Sequence, residues 1–174
     1  SMAPISLKSR LLQMIEREIE QSTLQKPGLI IAKMNSLTHE EMISALYRAS
    51  QAGVKVLLNI RGICMLVPGV EGLSENIRVV SIVDRYLEHA RIFYFQNGGN
   101  EEIYCSSDDW MRRNLDRRIE LMFPILEKSA FDEVKGILDT YFEDTDSAME
   151  LHNDGTWKKC ENKINGINAQ ETLY

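Results

Sequence analysis

A histidine and an arginine stand two positions apart in a segment that alternates like a β-strand. His89 and Arg91 lie within residues 89–95. Alternate residues of a strand point to one face, so the two side chains start ~6.6 Å apart. An imidazole exchanges a proton near neutral pH, and a guanidinium holds phosphate oxygens in pairs. The pair suits phosphoryl transfer, although a lone strand histidine also fits a structural role.

A carboxylate on the next predicted strand could orient that histidine. Glu120 lies within the predicted strand 117–123. A carboxylate that accepts a hydrogen bond from one ring nitrogen fixes the tautomer and raises the basicity of the other nitrogen. We therefore predict His89 and Glu120 as the catalytic pair. The alternative for Glu120 is an ion pair with Arg118.

Arginine is concentrated in one part of the chain. Residues 61–118 contain eight arginines and no lysine, whereas the remainder has nine lysines and three arginines. Arg61 follows the apolar strand 54–60 directly, and open α/β sheets bind ligands beyond the carboxyl ends of their strands. This indicates a phosphate site at that strand end, for which His89 and Arg91 are further candidates. Nine acids in the same segment leave open that the arginines only form surface ion pairs.

Apolar periodicity predicts the elements that position these groups. Residues 29–60 give the strand, helix, strand order of a parallel crossover, so the fold class is an α/β sandwich with a mixed sheet. Ser6 is expected to cap the first helix, and a capping box from Thr38 to Glu41 the second. Helices are predicted over 6–21, 39–52, 81–87 and 128–142, strands over 29–32, 54–60, 77–80, 89–95, 102–106 and 117–123, and hairpin turns at 97–100 and 153–155.

Length and composition restrict the class of protein. The 174 residues, 44% hydrophobic and 26% charged, fit one soluble domain. A net charge of -6 gives no general attraction for nucleic acid, and no apolar run reaches the ~18 residues of a membrane span. Cys64, Cys105 and Cys160 are too far apart for a CxxC metal site, so we predict reduced thiols and no metal site on this chain. The expected location is the cytoplasm, with membrane association left open.

Four other residues are candidates for lining the sheet end or for packing beneath it. Lys33, Asn35 and Ser36 follow the first predicted strand and could line the same sheet end, although turn chemistry explains Asn-Ser equally well. Trp110 is expected to be a buried anchor rather than a cover over the site.

Several ordered blocks resemble a known family. The order H-x-R, Ser106-Ser107, Asn114 and Glu120 resembles the H-x-K, G-S-x-N and glutamate of phospholipase D half-sites, with arginine replacing lysine and serine replacing glycine. A longer set resembles the C-terminal catalytic domain of bacterial polyphosphate kinases of the phospholipase D-like type, over about residues 6–157. These blocks are AKMNSL (32–37), NIRGIC (59–64), PGV (68–70), LSENIRV (73–79), SIV (81–83), LEHARIFYF (87–95) and SSDDWMRRNLDRRIE (106–120). This sequence departs from the family pattern at five positions. Val67 and Val80 stand in place of arginines, and the residues Met65, Asp108 and Arg112 also differ from those common in the family.

The resemblance implies a phospholipase D-like αβα sandwich over residues 6–160. The residues at the two ends are expected to be a tag remnant and lead-in at 1–5 and a polar tail at 161–174. It implies reversible transfer of the terminal phosphate of ATP to polyphosphate, through a phosphohistidine and with Mg2+. By resemblance, Arg61 and His89 contact the nucleotide phosphates. The phosphorylated histidine and the magnesium site are expected on preceding domains of the same polypeptide. The implied partners are therefore ATP or ADP, polyphosphate, those domains, and further copies in a homo-oligomer of the full enzyme.

Two alternatives from other classes stay open. A phospholipase D-like phosphodiesterase or nuclease would bring two copies of the H-x-R element together in a homodimer. A non-catalytic domain would use His89 and the arginines to stabilise an interface. If the kinase resemblance holds, the isolated chain is expected to be inactive because half of the site is missing.

Overall fold

A computed structural model describes residues 6–82, 91–106, 110, 122–143 and 148–160, and the backbone of 163–164 and 167–168. Within these ranges the helices are α1 (Leu7–Gln21), α2 (Glu40–Gln51) and α3 (Lys128–Glu143), with a 3-10 turn at Asn97–Gly99. The strands are β1 (Leu29–Met34), β2 (Lys55–Ile60), β3 (Ile77–Ser81), β4 (Arg91–Phe95), β5 (Glu102–Ser106), β6 (Met122–Pro124), β7 (Met149–Leu151), β8 (Trp157–Lys159), β9 (Lys163–Ile164) and β10 (Ile167–Asn168).

The main sheet is mixed, as predicted. Its described strands number 8 and run in the order β6-β5-β4-β1-β2-β3-β7-β8. The three strands β1, β2 and β3 are parallel, and β4 pairs antiparallel with β1. The carboxyl ends of β1 and β2 therefore share an edge with the start of β4.

Helices cover both faces of the sheet. Phe93 and Phe95 pack in one core cluster with residues of α1 and α2, such as Leu11 and Leu46. Ile92 and Tyr94 pack in a second cluster with Leu138 of α3. Because alternate residues of β4 enter different cores, the sheet is buried on both faces and the αβα sandwich is confirmed.

One of the two predicted helix caps is confirmed. The backbone N–H of Ser9 donates to Ser6 Oγ at 3.1 Å, which satisfies one donor at the start of α1. The capping box at Thr38 is wrong: the residue before α2 is His39, and its side chain makes no cap hydrogen bond. The N–H groups of Thr38 and His39 both donate to the carbonyl oxygen of Trp110, at 3.0 Å each. A distant segment of the chain thus anchors the two residues that precede α2.

Some predicted elements fall partly outside the described residues. Ser81 is the last residue of β3, and residues 83–87 of the helix predicted to follow it lie outside the described residues. Residues 117–121 of the predicted strand do so as well, and β6 begins at Met122. The predicted tail contains β9 and β10, which pair antiparallel. Among the described helices, none has the length and apolar composition needed to cross a bilayer.

Candidate functional site

Arg61 and Arg91 lie at the same edge of the sheet, on either side of the end of β1. Met34, the last residue of β1, pairs with Ile60 of β2, and its carbonyl oxygen accepts a hydrogen bond from Arg61 N at 3.3 Å. On the other side, Lys33 pairs with Ile92, which immediately follows Arg91. The two arginine backbones are therefore about two strand spacings apart, ~10 Å.

Arg91 lies opposite a residue of the phospholipase D-like pattern on the neighbouring strand. Its register partner on β5 is Ser106, so the start of β4 and the end of β5 meet at this edge. Phe93 packs against α1 and α2, and alternation places Arg91 towards the same face. Arg61 lies beyond the end of β2 with an exposed side chain, at the rim of the sheet. We call this edge, with Arg61, Arg91 and Ser106, the arginine edge.

Gly62 lets the loop with Arg61 approach β1 closely. Its N–H donates to the carbonyl oxygen of Asn35 at 2.6 Å. A Cβ atom at position 62 would lie 2.8 Å from that same oxygen and 3.0 Å from Ser36 Oγ. Only glycine fits without moving backbone, so this residue determines where Arg61 sits. The sequence alone does not predict this role of Gly62, and the block NIRGIC (59–64) is its one signal.

The loop after β1 is held between two other segments. Leu37 N donates to Ile63 O at 2.8 Å, and Met65 N donates to Leu37 O at 2.9 Å. On its other side the loop meets Trp110, which is fully buried and packs against Phe93 in a tilted arrangement with ring centroids 5.1 Å apart. The prediction of Trp110 as a buried anchor is confirmed. These contacts fix the backbone from which Arg61 projects.

Two buried polar residues lie near the same edge on the α3 face. Lys33 is 6% exposed and pairs in register with Asn59, which is 2% exposed. The Oδ1 atom of Asn59 accepts a hydrogen bond from Ile82 N at 3.1 Å and so ties β2 to the segment after β3. Lys33 lies within β1 rather than after it, so its predicted position beyond the strand is wrong. Asn59 was missed, although a polar residue in an apolar strand was a usable signal.

The two cysteines near the site are poor nucleophiles. Burial raises the pKa of Cys64 to about 11, although its Sγ–H donates to the carbonyl oxygen of Leu66. Burial also raises the pKa of Cys105 on β5. Both thiols are free and protonated at neutral pH, so the chemistry of this edge falls to other groups. Across the described part of the chain, no cluster of three or more His, Cys, Asp or Glu could hold a metal ion.

The predicted site residues divide into two groups. Arg61, Arg91 and Ser106 are brought to one edge. His89 and Glu120 lie outside the described residues, as do Ser107 and Asn114, so their roles stay predictions.

One of the concentrated arginines forms an ion pair, but with an acid outside residues 61–118. Arg78 Nε lies 2.8 Å from Glu150 Oε1, and Arg78 Nη1 donates to the carbonyl oxygen of Phe142 at 3.3 Å. Arg78 therefore ties β3 to β7 and α3, away from the arginine edge.

Sequence comparisons identify relatives along nearly the whole chain. The family model described as polyphosphate kinase C-terminal domain 2 matches residues 1–170. A polyphosphate kinase of Rhodopirellula baltica is 50% identical over 99% of this chain. One from Pseudomonas aeruginosa is 50% identical over 98% of it. The chain spans only 20% and 25% of these two proteins.

Structural comparisons agree. The fold matches the crystal structure of polyphosphate kinase from Porphyromonas gingivalis with a TM-score of 0.84 and 41% identity, over 96% of this chain and 26% of that one. NucT from Helicobacter pylori matches with a TM-score of 0.52 and 10% identity, over 78% of this chain and 89% of that one. The second likeness concerns the fold alone.

Proposed function

The chain belongs to the polyphosphate kinase C-terminal domain family, and from this membership we propose that it supplies half of the active site of an ATP:polyphosphate phosphotransferase. The reaction moves the terminal phosphate of ATP reversibly onto a polyphosphate chain. The observation that carries the proposal is the convergence of Arg61 and Arg91 on one edge of the sheet. Phosphoryl transfer is catalysed chiefly by positioning and by stabilising charge on the phosphate oxygens, which are tasks that arginines perform.

Each predicted residue has a distinct role in this proposal. Arg61 and Arg91 bind phosphate oxygens of ATP or polyphosphate with their planar guanidinium groups. His89 precedes Arg91 by two positions and also contacts the phosphates, where it gives or takes a proton. Glu120 accepts a hydrogen bond from the imidazole and so fixes the tautomer that does this. His89 and Glu120 are the catalytic pair, and the arginines bind substrate.

The rest of the site is assigned to other parts of the polypeptide. Family resemblance implies a phosphohistidine and a Mg2+ ion, both carried mainly by preceding domains. The described residues offer no carboxylate cluster for that ion, so no step here is routed through it. A cytoplasmic location and homo-oligomerisation of the full enzyme complete the proposal. The isolated chain should bind ATP weakly and should not turn over.

Substitution of His89 in the intact enzyme tests the catalytic role. We expect His89→Ala to lower the rate of polyphosphate synthesis by about a hundredfold or more, because general acid-base groups typically contribute that much. His152→Ala is the matched control, since His152 lies in the β7–β8 hairpin, at the far end of the sheet. Near-normal synthesis by His89→Ala would contradict the role. Hydrolysis of a phosphodiester dye without any polyphosphate synthesis would favour the phosphodiesterase alternative.

A further inference from the structure

A cleft of about 300 Å³ lies between α1 and β5, outside the arginine edge. Its lining residues are Arg10, Gln13, Met14 and Arg17 of α1, and Tyr104 of β5. We call it the α1–β5 cleft. Two of the five side chains are arginines, and no carboxylate is among the described residues that line it. The wall therefore presents positive charge to whatever enters.

The two arginines are spaced along one helix face. Arg10 and Arg17 are seven residues apart, which is about two turns and a rise of ~10.5 Å. A single small anion could contact one of them. A linear anion with repeated charges could contact both at once.

A carboxylate behind the cleft holds its wall in place. Glu102 accepts hydrogen bonds from Arg17 Nη1 at 3.1 Å and from Arg17 Nη2 at 3.0 Å, and from the Tyr104 hydroxyl at 2.6 Å. Each terminal nitrogen of Arg17 carries a second N–H that these bonds do not use. The carboxylate of Glu102 offsets the positive charge of Arg17, but it also fixes the position of the Arg17 side chain. The cleft is therefore arranged before any ligand arrives, which lowers the entropic cost of binding.

Arg10 is held over an aromatic ring. Its guanidinium carbon lies 5.4 Å from the centroid of Tyr104, within the range of a cation–π contact. Tyr104 is 7% exposed, so its ring has no free face on which a nucleotide base could stack. Arg10 itself is exposed. The cleft thus favours anionic groups over the base of a nucleotide.

The cleft continues towards the arginine edge. Tyr104 pairs with Phe93, and two positions further along both strands Ser106 pairs with Arg91. Alternate residues share a face, so Tyr104 and Arg91 lie on the same side of the sheet, about 7 Å apart along the strands. The start of α1 also lies near that edge, because Lys8 Nζ contacts Glu41 Oε1 in the first turn of α2 at 3.3 Å. Arg10 is therefore the nearer arginine and Arg17 the farther one.

We propose that the α1–β5 cleft binds phosphate residues of the polyphosphate chain, away from the end that reacts at the arginine edge. This inference rests on the proposed function. The guanidiniums of Arg91, Arg10 and Arg17 then contact successive parts of the bound polyphosphate, in that order. Arg10 and Arg17 contribute to the affinity for long polymers, and they do not touch the transferred phosphate.

Charge removal at Arg10 in the intact enzyme tests the cleft. The affinities for ATP, tripolyphosphate and long-chain polyphosphate are measured for wild type, Arg10→Gln, Arg10→Lys, Arg61→Gln and Arg48→Gln. We expect Arg10→Gln to weaken binding of the long polymer about fivefold, the value of one ordinary hydrogen bond at ~1 kcal/mol. Binding of ATP should not change, because its triphosphate is assigned to the arginine edge, and tripolyphosphate should lose less affinity than the long polymer. Arg10→Lys keeps the charge, so its affinity for the long polymer should lie between those of wild type and Arg10→Gln.

The salt dependence and the control separate a site from general attraction. The plot of log affinity against log salt for the long polymer should lose about one unit of slope in Arg10→Gln, as expected when one phosphate contact is lost from a linear polyanion. Arg48→Gln removes the same charge from an exposed ion pair with Glu16 on the outer surface, and it should have no effect. An equal loss in Arg48→Gln would overturn the proposal.

Two other results would overturn the cleft while leaving the proposed function intact. Unchanged polymer binding in Arg10→Gln, together with weakened ATP binding in Arg61→Gln, would mean that polyphosphate takes another path. Equal weakening of ATP, tripolyphosphate and long polymer in Arg10→Gln would place Arg10 in the nucleotide site. Failure of the proposed function itself would appear as unchanged ATP binding in Arg61→Gln.

Discussion

At the scale of single residues, Gly62 positions Arg61 through its close contact with the backbone of Asn35. The backbone φ of this glycine is not in the left-handed region, so the requirement for glycine is one of space. Its neighbour is the backbone carbonyl of Asn35, which cannot rotate away like the end of a flexible side chain. A side chain here would push the loop with Arg61 away from the end of β1.

We expect Gly62→Ala to lower the free energy of unfolding by about 1 to 3 kcal/mol, the usual range for overpacking. It should also weaken ATP binding, because Arg61 moves. Urea unfolding and ATP titration measure the two effects. Gly136→Ala is the control: Gly136 is exposed within α3 and its Cβ would meet nothing within 4 Å. That change should stabilise the protein by about 0.5 to 1 kcal/mol. Equal stability of Gly62→Ala and wild type would show that the loop adapts.

At the scale of elements, a carboxylate of β5 helps to join α1 to the β4–β5 hairpin. Glu102 of β5 accepts both terminal nitrogens of Arg17 and also the side-chain amide of Asn97 at 3.2 Å. Burial alone would raise the pKa of Glu102, but the hydrogen bonds from Arg17 and Tyr104 and the charge of Arg17 outweigh it. The pKa of Glu102 therefore lies below its usual value, and the ionised form favours the folded state.

This gives a pH dependence of known sign. The stability from Glu102 is present above the usual carboxyl pKa of 4.5 and is lost as the pH falls through the lower folded-state value. Glu102→Gln should lower the free energy of unfolding at pH 7 by about 1 kcal/mol, because it removes a partly exposed ion pair that contains two hydrogen bonds. The difference in unfolding free energy between Glu102→Gln and wild type should become smaller as the pH falls below the usual carboxyl pKa. Urea midpoints from neutral to acid pH measure this, with Glu16→Gln in an exposed pair as control. A gap that grows as the pH falls would reverse the assigned sign.

At the scale of the whole molecule, the sequence predicts the elements better than their arrangement. The helices α1 and α3 and the strands β1 and β2 begin and end within about two residues of their predicted bounds, because burial imposes a local apolar period. The order of the strands has no such local signal. Arg91 comes near Arg61 because β4 inserts beside β1 rather than beside β3. The contact between Trp110 and the residues that precede α2 has no local signal either, because its partners are far apart along the chain.

Part of the candidate site has a local signal in the sequence. The apolar strand before Arg61 and the alternation around Arg91 place both arginines at strand ends, whereas the roles of His89 and Glu120 stay predictions. The α1–β5 cleft was not predictable, because Arg10 and Arg17 belong to a helix that has no motif. Their meeting with Tyr104 depends on how α1 packs across the sheet.

The most direct test is a crystal structure of the intact enzyme with a non-hydrolysable ATP analogue. We expect the guanidinium of Arg61 and the imidazole of His89 to lie ~2.7 to 3.2 Å from phosphate oxygens, with Arg91 facing the same cavity. Phosphates bound at the opposite edge of the sheet, or an imidazole of His89 turned into an apolar core away from Arg61, would contradict the account.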